Sequence, residues 1–233
     1  MLTVVTWKWK QSSYRSSFGP KQVNTLHAMV KRHLHVPFEF KCITDDPVGI
    51  DPAIKIVPLW DVPRVVLPPG KPNCYRRLRA FAPEAAELIG PRFLSLDLDT
   101  VITGDITPLV ERVEDFVIWG DTNPSTPYNG SMFLLSAGCR PQVWTKFDPT
   151  NSPIKTRNAG YIGSDQAWIG LVLGKNEARW TRKDGVYSFR NEIKKIRKDL
   201  PADARIIFFH GRSDPWDSSV QARYPWIKDH YRI

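Results

Sequence analysis

Cysteine is scarce: 233 residues hold three, Cys42, Cys74 and Cys139, an odd number set far apart with no Cys-x-x-Cys pair. That argues against a disulfide framework or a thiolate zinc site and leaves three buried thiols. No apolar run approaches membrane-spanning length. The opening Met1 to Lys10 is too short, and too interrupted by Lys8 and Lys10, for a secretory signal, so the expected location is cytoplasmic. Internal repeats and low-complexity tracts are missing as well. Negative charge is in deficit, with 24 acidic against 33 basic residues and a net charge of +9. The excess favours an anionic partner: nucleotide phosphate, nucleic acid or an acidic membrane surface. Hydrophobic content of 42% and charged content of 24% are ordinary for a soluble globular chain, and the length fits one large domain or at most two small ones.

What is present begins with Leu2 to Trp7, β-branched and strand-like. Trp7-Lys8-Trp9 falls where the chain should leave a sheet, with an indole to stack on a base and an ammonium to reach a phosphate. Core packing and a solvated lysine explain the same residues equally well. Lys21 to Leu34 carries Val23, Leu26, Val30 and Leu34 at helical spacing. Phe38 to Ile43 reads as a second strand ending near Asp45, a candidate for a ribose or base contact or simply for turn initiation before Pro47. Ile54 to Val57 is a third strand. The Pro- and Gly-rich segment 58–72 has the length of a lid.

Asn73 to Leu88 predicts a helix that Pro83 kinks or splits, with Arg76, Arg77 and Arg79 near its start. Three cations at a helix beginning gain nothing from its dipole, so an anionic ligand accounts for them better. Phe93, Leu94 and Leu96 then form a buried strand delivering Asp97-Leu98-Asp99 at its carboxyl end, where open α/β sheets bind ligands. On a regular strand the two aspartates leave the same face. Paired carboxylates repel unless a proton or cation lies between them, and hard oxygen donors suit Mn²⁺ or Mg²⁺. A solvated acidic turn is the plainer alternative.

Further strands are predicted at 116–119, 132–135 and 205–209, with a helix at 140–147 and a loop over 148–163. Ser164-Asp165-Gln166 reads as a capped helix start, Asp165 ranking first as an ordinary first-turn carboxylate. Residues 189–200 make a basic amphipathic helix, a solvated face or a contact for acidic lipid. His210 and Arg212 follow the last strand as candidate metal ligand and phosphate clamp. The alternation of strands and helices predicts an α/β domain with a mostly parallel central sheet flanked by helices.

The motifs, in order, resemble retaining glycosyltransferases of the Rossmann-like GT-A fold, family 8, the glycogenin and lipopolysaccharide galactosyltransferase group. Tyr75-Arg76-Arg77-Leu78 is similar to that family's Tyr-Ala-Arg-Leu segment, and Leu96-Asp97-Leu98-Asp99 to its Leu-Asp-x-Asp metal motif. Tyr128-Asn129-Gly130-Ser131 resembles its Phe-Asn-Ser-Gly segment, Asp165-Gln166 its Asp-Gln pair, and Phe209-His210-Gly211 with Pro215-Trp216 its closing His-x-Gly-Lys-Pro-Trp region.

The resemblance implies a single domain over 1–233, with a nucleotide-binding half, 1–105, and a donor-sugar and acceptor half, 106–233. It implies Mn²⁺ or Mg²⁺ on Asp97, Asp99 and His210. Nucleotide contacts fall to Thr6, Trp7, Lys8, Asp45, Arg77, Leu98 and Arg212. The donor sugar lies beside Asn129, Gly130 and Ser131, with Asp165 and Gln166 at the reacting carbon. A UDP-sugar would be the donor and a carbohydrate, lipid-linked or protein hydroxyl the acceptor, with peripheral contact at the inner membrane face through the basic helix. Where the family has a phosphate-binding lysine, this chain has Asp214, with Arg212 the candidate replacement. Asp97-Leu98-Asp99-Thr100 also resembles the nucleophile motif of haloacid-dehalogenase-like phosphatases, although it lies mid-chain and lacks that motif's glycine. A basic single-stranded nucleic-acid module, using its aromatics to stack, is the non-enzyme alternative, and no recognised motif supports it.

Overall fold

The computed structural model describes residues 1–10, 18–61, 65, 73–120, 123, 125–195 and 199–233. Its centre is a seven-stranded sheet ordered β3-β2-β1-β4-β7-β6-β8. The strands are β1 (Leu2–Lys8), β2 (Phe38–Thr44), β3 (Lys55–Pro58), β4 (Arg92–Leu96), β6 (Phe116–Gly120), β7 (Tyr128–Ser136) and β8 (Ala178–Trp180). All neighbours pair in parallel except β7, which runs antiparallel to both β4 and β6. A second, three-stranded sheet, β5 (Thr100–Ile102), β10 (Ile206–Phe208) and β9 (Val186–Ser188), stands beside it.

The central sheet is buried on both faces, and strand parity divides its side chains between two cores. Val4, Leu94, Leu96, Val117, Trp119, Met132 and Leu134 face one core, filled by the helix Pro20–His33, the small sheet and the C-terminal segment. Val5, Phe93, Phe116, Ile118, Phe133 and Leu135 face the other, filled by the 3₁₀ segment Tyr75–Phe81 and the helix Asp165–Leu173. Helix Pro20–His33 takes its start from a proline in the first turn, and places Val23, Leu26, Met29 and Val30 inward at spacings of three, three and one.

Several sequence expectations change. The helix expected over 73–88 is the 3₁₀ segment plus the short helix Ala85–Leu88, split by Pro83, which cannot donate within a helix. The loop expected over 148–163 contains a helix, Ser152–Asn158, with Pro153 in its first turn. Tyr128 to Ser131 belongs to β7 rather than preceding it. The basic helix is one π-type segment, Phe189–Ile193, followed by a turn, and residues 196–198 lie outside the described residues. No amphipathic helix of the expected length stands there among the described residues. The lid expected at 58–72 also lies largely outside them. All three cysteines are free thiols, Cys42 buried and Cys74 and Cys139 only partly so.

Phe133 is the hub of the second core, its ring 5.5 Å from Phe81, 6.3 Å from Phe93 and 6.5 Å from Phe116, with no exposed surface. Phe133→Ala is expected to cost about 3–5 kcal/mol of stability, read as a lowered urea midpoint.

Candidate active site

Strand β4 ends at Leu96, and its ladder with β7 continues for one more bond, the Asp97 N–H donating to the Ser131 carbonyl at 2.9 Å. Asp97 therefore lies at the carboxyl end of the central strand, beside the register shift in the β6–β7 pairing, where Ile118 opposes Phe133 but Trp119 opposes Asn129. Such a bulge turns side chains out of the ladder. Here it carries Asn129, Gly130 and Ser131. Residues 97–99 then bend from the large sheet into β5 of the small one. Strand parity does not extend to Asp99, which corrects the expectation that both aspartates share a strand face.

Arg77 holds the arrangement together. Its Nη1 pairs with Asp97 Oδ1, and its Nη2 lies 2.8 Å from Asp165 Oδ2. Arg77 is 5% exposed and Asp165 2%. Burial works against the guanidinium charge, but Asp165 and Asp97 outweigh it and hold the group charged. The reading of Asp165 as an ordinary first-turn carboxylate is thus overturned: it is a buried partner of a buried cation. Ser164 gives no cap bond to the helix; its hydroxyl reaches Asp165 Oδ1 at 3.2 Å and accepts from the Cys74 N–H at 3.1 Å. Arg77 Nε and Asp165 Oδ2 are buried with no hydrogen-bond partner, the 2.8 Å approach being a charge contact off the hydrogen-bonding direction. A Cβ at Gly130 would stand 3.0 Å from both Arg77 Nη2 and Asp165 Oδ2, so the missing side chain is what leaves the pair its room. Gln166 Oε1 lies 3.4 Å from the Gly130 N–H, and Asn129 Oδ1 accepts from the Ser131 N–H at 2.9 Å.

Negative charge exceeds positive here. Burial raises Asp97, against the opposing pull of Arg77 and a hydrogen bond from Ser131. Burial, then Asp97, then Asp214 push Asp99 up to about 7. Asp97 still keeps 26% of its side chain open to solvent, which marks the floor of a cleft. A carboxylate group this crowded, served by one guanidinium, fits a hard divalent cation in its donor chemistry. His210 follows Phe209, whose N–H donates to the Asp99 carbonyl at 2.8 Å, so the third expected ligand arrives on the neighbouring strand. Its Nε2 lies 2.7 Å from Ser188 Oγ. Among the described residues no three His, Cys, Asp or Glu side chains stand close enough to hold a metal ion as they are. The His210 imidazole instead lies against Ser188 and the Trp119 ring, 5.6 Å away, so the three expected donors form no metal cage as they stand.

Of the remaining expected nucleotide contacts, most are engaged within the protein. Thr6 Oγ1 donates to the Leu96 carbonyl at 2.9 Å, tying β1 to the end of β4. Trp7 packs edge-on against Trp60 and donates to Ser95 Oγ, so its face is part of the core. Lys8 is buried, donating to the Asp46 carbonyl at 2.6 Å and lying 3.3 Å from its carboxylate, so a phosphate contact would need that pair to open. Asp45 is exposed and accepts from the Lys10 N–H at 3.4 Å. Leu98 is a core residue and Arg212 is exposed. Sequence reasoning missed Ser188, which bonds His210 Nε2, and Cys74, whose N–H bonds Ser164 Oγ; neither falls in a motif. It treated Asp214 only as a missing lysine. The thiol of Cys74, beside Arg77 and Asp165, is pushed up to about 12 by burial and stays protonated.

No protein-family model matches the sequence, and neither does any curated protein. Solved structures do match in fold. A galactosyltransferase LgtC, in complex with donor and acceptor sugar analogs, superposes with a TM-score of 0.59 at 12% identity, over 99% of this chain and 97% of that one. The glycosyltransferase GlyE of Streptococcus pneumoniae TIGR4 gives 0.57 at 11% identity, and the bifunctional glycosyltransferase WbbM 0.57 at 12%. These cover 99% and 98% of this chain but only 62% and 50% of those longer chains. At such identities the likeness is one of fold, and the expected GT-A-like α/β architecture is the one found.

The Asp99 environment has a measurable consequence. An unfolded aspartate titrates near 3.9, whereas folded Asp99 titrates at about 7. Between those values the folded chain keeps a proton that the unfolded chain has lost, so stability falls as pH rises through the window. In EDTA, Asp99→Asn is expected to flatten that fall and to exceed the wild type above pH 7 by on the order of 2–4 kcal/mol, with no advantage below pH 4. Urea unfolding at pH 4, 6 and 8 measures it.

Proposed function

We propose that this chain is a metal-dependent glycosyltransferase that moves a sugar from a nucleotide diphosphate sugar, a UDP-sugar, to an acceptor hydroxyl with retention of configuration, as the resemblance to family 8 implies. The observation that carries the reading is the Arg77 guanidinium shared by Asp97 and Asp165 beneath Gly130, set in a fold that solved glycosyltransferases share.

On this reading the cleft works by fixing charge before the donor arrives. Asp165 is anchored by Arg77 and Ser164, so its carboxylate offers a preorganised negative charge to the positive charge that grows at the anomeric carbon. Arg77 Nε, buried and unpartnered, is a donor available to a bound ligand. Gly130 and the bulge around it let the sugar approach the Arg77–Asp165 pair without a side chain intervening. Asp97 and Asp99 would hold Mn²⁺ or Mg²⁺, joined by His210, and that ion would relieve the charge left on the departing diphosphate. Gln166 stands beside Asp165 for contact with the sugar. The phosphatase reading of the Asp-x-Asp pair has less support, because its nucleophile would be Asp97, whose Oδ1 is already bound by Arg77.

The test is a panel of nucleotide sugars incubated with the protein in Mn²⁺ or EDTA, scored for transfer or slow donor hydrolysis and for thermal stabilisation. One nucleotide should raise the melting temperature only in the presence of metal. Asp97→Ala with Asp99→Ala should lower turnover at least a thousandfold while the chain stays folded. Turnover in that variant equal to wild type would end the reading.

A further inference from the structure

Main chain holds the Gln166 amide from two sides. The Gly130 N–H donates to its Oε1 at 3.4 Å, and its Nε2 donates to the Ile162 carbonyl at 3.3 Å. An amide oxygen accepts and an amide nitrogen donates, so the two contacts fit the side chain in one orientation only. Gly163 leaves room for it. A Cβ there would stand 2.6 Å from Gln166 Cγ and 2.9 Å from Cδ, and its φ of +116° is one that side chains rarely adopt. The missing side chain lets the glutamine stem lie against the loop.

The Ile162 main chain is fixed in turn by Thr126. The Thr126 hydroxyl donates to the Ile162 carbonyl at 2.9 Å and accepts from the Ile162 N–H at 3.0 Å. Thr126 is 1% exposed, whereas Ile162 is 56% exposed. Ile162 is therefore placed by its polar main chain rather than by burial of its side chain. One residue further back, the Tyr161 N–H donates to the Thr156 carbonyl at 3.0 Å. Thr126 lies outside every motif of the sequence, just ahead of β7, while Gln166 lies in the helix Asp165–Leu173. One buried hydroxyl thus connects, through the main chain of a single residue, to the amide beside Asp165.

We propose that Thr126 is a positioning residue for sugar transfer: it fixes the Ile162 carbonyl, which together with the Gly130 N–H sets the orientation of the Gln166 amide. The inference rests on the reading that Gln166 meets the donor sugar, and it extends that site to a loop that no motif marks. A primary amide has two N–H donors and two acceptor lone pairs. With one of each engaged by the protein, one N–H and one lone pair remain, the complement of a hydroxyl, which both donates and accepts. Gln166 is half-buried, so that remainder stays within reach of a ligand. A sugar hydroxyl is then met by an amide that need not be ordered on binding.

The experiment compares Thr126→Val, which keeps the shape and removes the hydroxyl, with Thr126→Ser, which keeps the hydroxyl. Thr126→Ala repeats the removal with a smaller side chain. The Gln166 side-chain amide is followed in isotopically labelled, ligand-free protein by its heteronuclear NOE, its resonances being assigned by their loss in Gln166→Ala. The amide should be rigid in the wild type and in Thr126→Ser, and mobile once the hydroxyl is gone. Hydrolysis of UDP-galactose and of UDP-glucose in Mn²⁺ is measured alongside. Thr126→Val should lower kcat about tenfold, and Thr126→Ser should stay within about twofold of the wild type. In the Gln166→Ala background, Thr126→Val should have no further effect. An amide that is mobile in the wild type, or still rigid without the hydroxyl, would overturn the clamp. An equal loss of kcat in the Gln166→Ala background would mean that Thr126 acts by another route, and would overturn its positioning role. A rigid amide in a wild type that hydrolyses neither donor would overturn the part in transfer and count against the function proposed above, while the clamp itself stood.

Discussion

One guanidinium shared by two carboxylates sets the geometry of the cleft. Arg77 comes from a 3₁₀ segment, Asp97 from the end of the central strand and Asp165 from the start of a helix, so a single side chain fixes three elements against one another. Charges this deeply buried persist only when paired, because each unpaired ion would lose several kcal/mol of solvation. The pairing is also incomplete in a way suited to function: Arg77 Nε and Asp165 Oδ2 retain hydrogen-bonding capacity that the protein does not use.

The rest of the architecture brings charge to that point and leaves part of it unbalanced. The central sheet is covered on both faces, and the Asp97-Leu98-Asp99 bend passes between its two cores. Asp97 turns toward the Arg77–Asp165 layer, while Asp99 is carried toward the small sheet, where Phe209 binds its carbonyl and Asp214 adds a further negative charge. The cleft floor therefore joins a balanced half, around Arg77, to an acidic half, around Asp99. On the proposed function, the first would meet the sugar with fixed polar partners and the second would take the cation.

Much of the scaffold was legible because its physics is local. Helix Pro20–His33 and strands β1, β2, β4 and β6 follow from apolar spacing and β-branched content. Strands β5, β8 and β9 have three residues each and leave no periodicity to read; tertiary pairing alone makes them strands. Asp97 stood out because it ends a buried strand. For Asp165 the local pattern offered only an ordinary helix-start aspartate, the resemblance alone put it in the site, and its burial against Arg77, distant in sequence, is visible only in the fold. Parity failed at Asp99 because β4 ends three residues before it. For Lys8 and Trp7 residue type left ligand contact and the plainer alternatives equally open, and the fold buries both against Asp46, Trp60 and Ser95.

The most direct test of this account is a double-mutant cycle between Arg77 and Asp165 in urea, followed by tryptophan fluorescence. Arg77→Met and Asp165→Asn should each destabilise the chain strongly, since each leaves a buried charge without its partner. The double variant should lose less than the sum of the two, by a coupling of about 1–3 kcal/mol. Additivity within about 0.5 kcal/mol would mean that the two side chains do not act on each other, and the shared guanidinium would then not be what holds the cleft together.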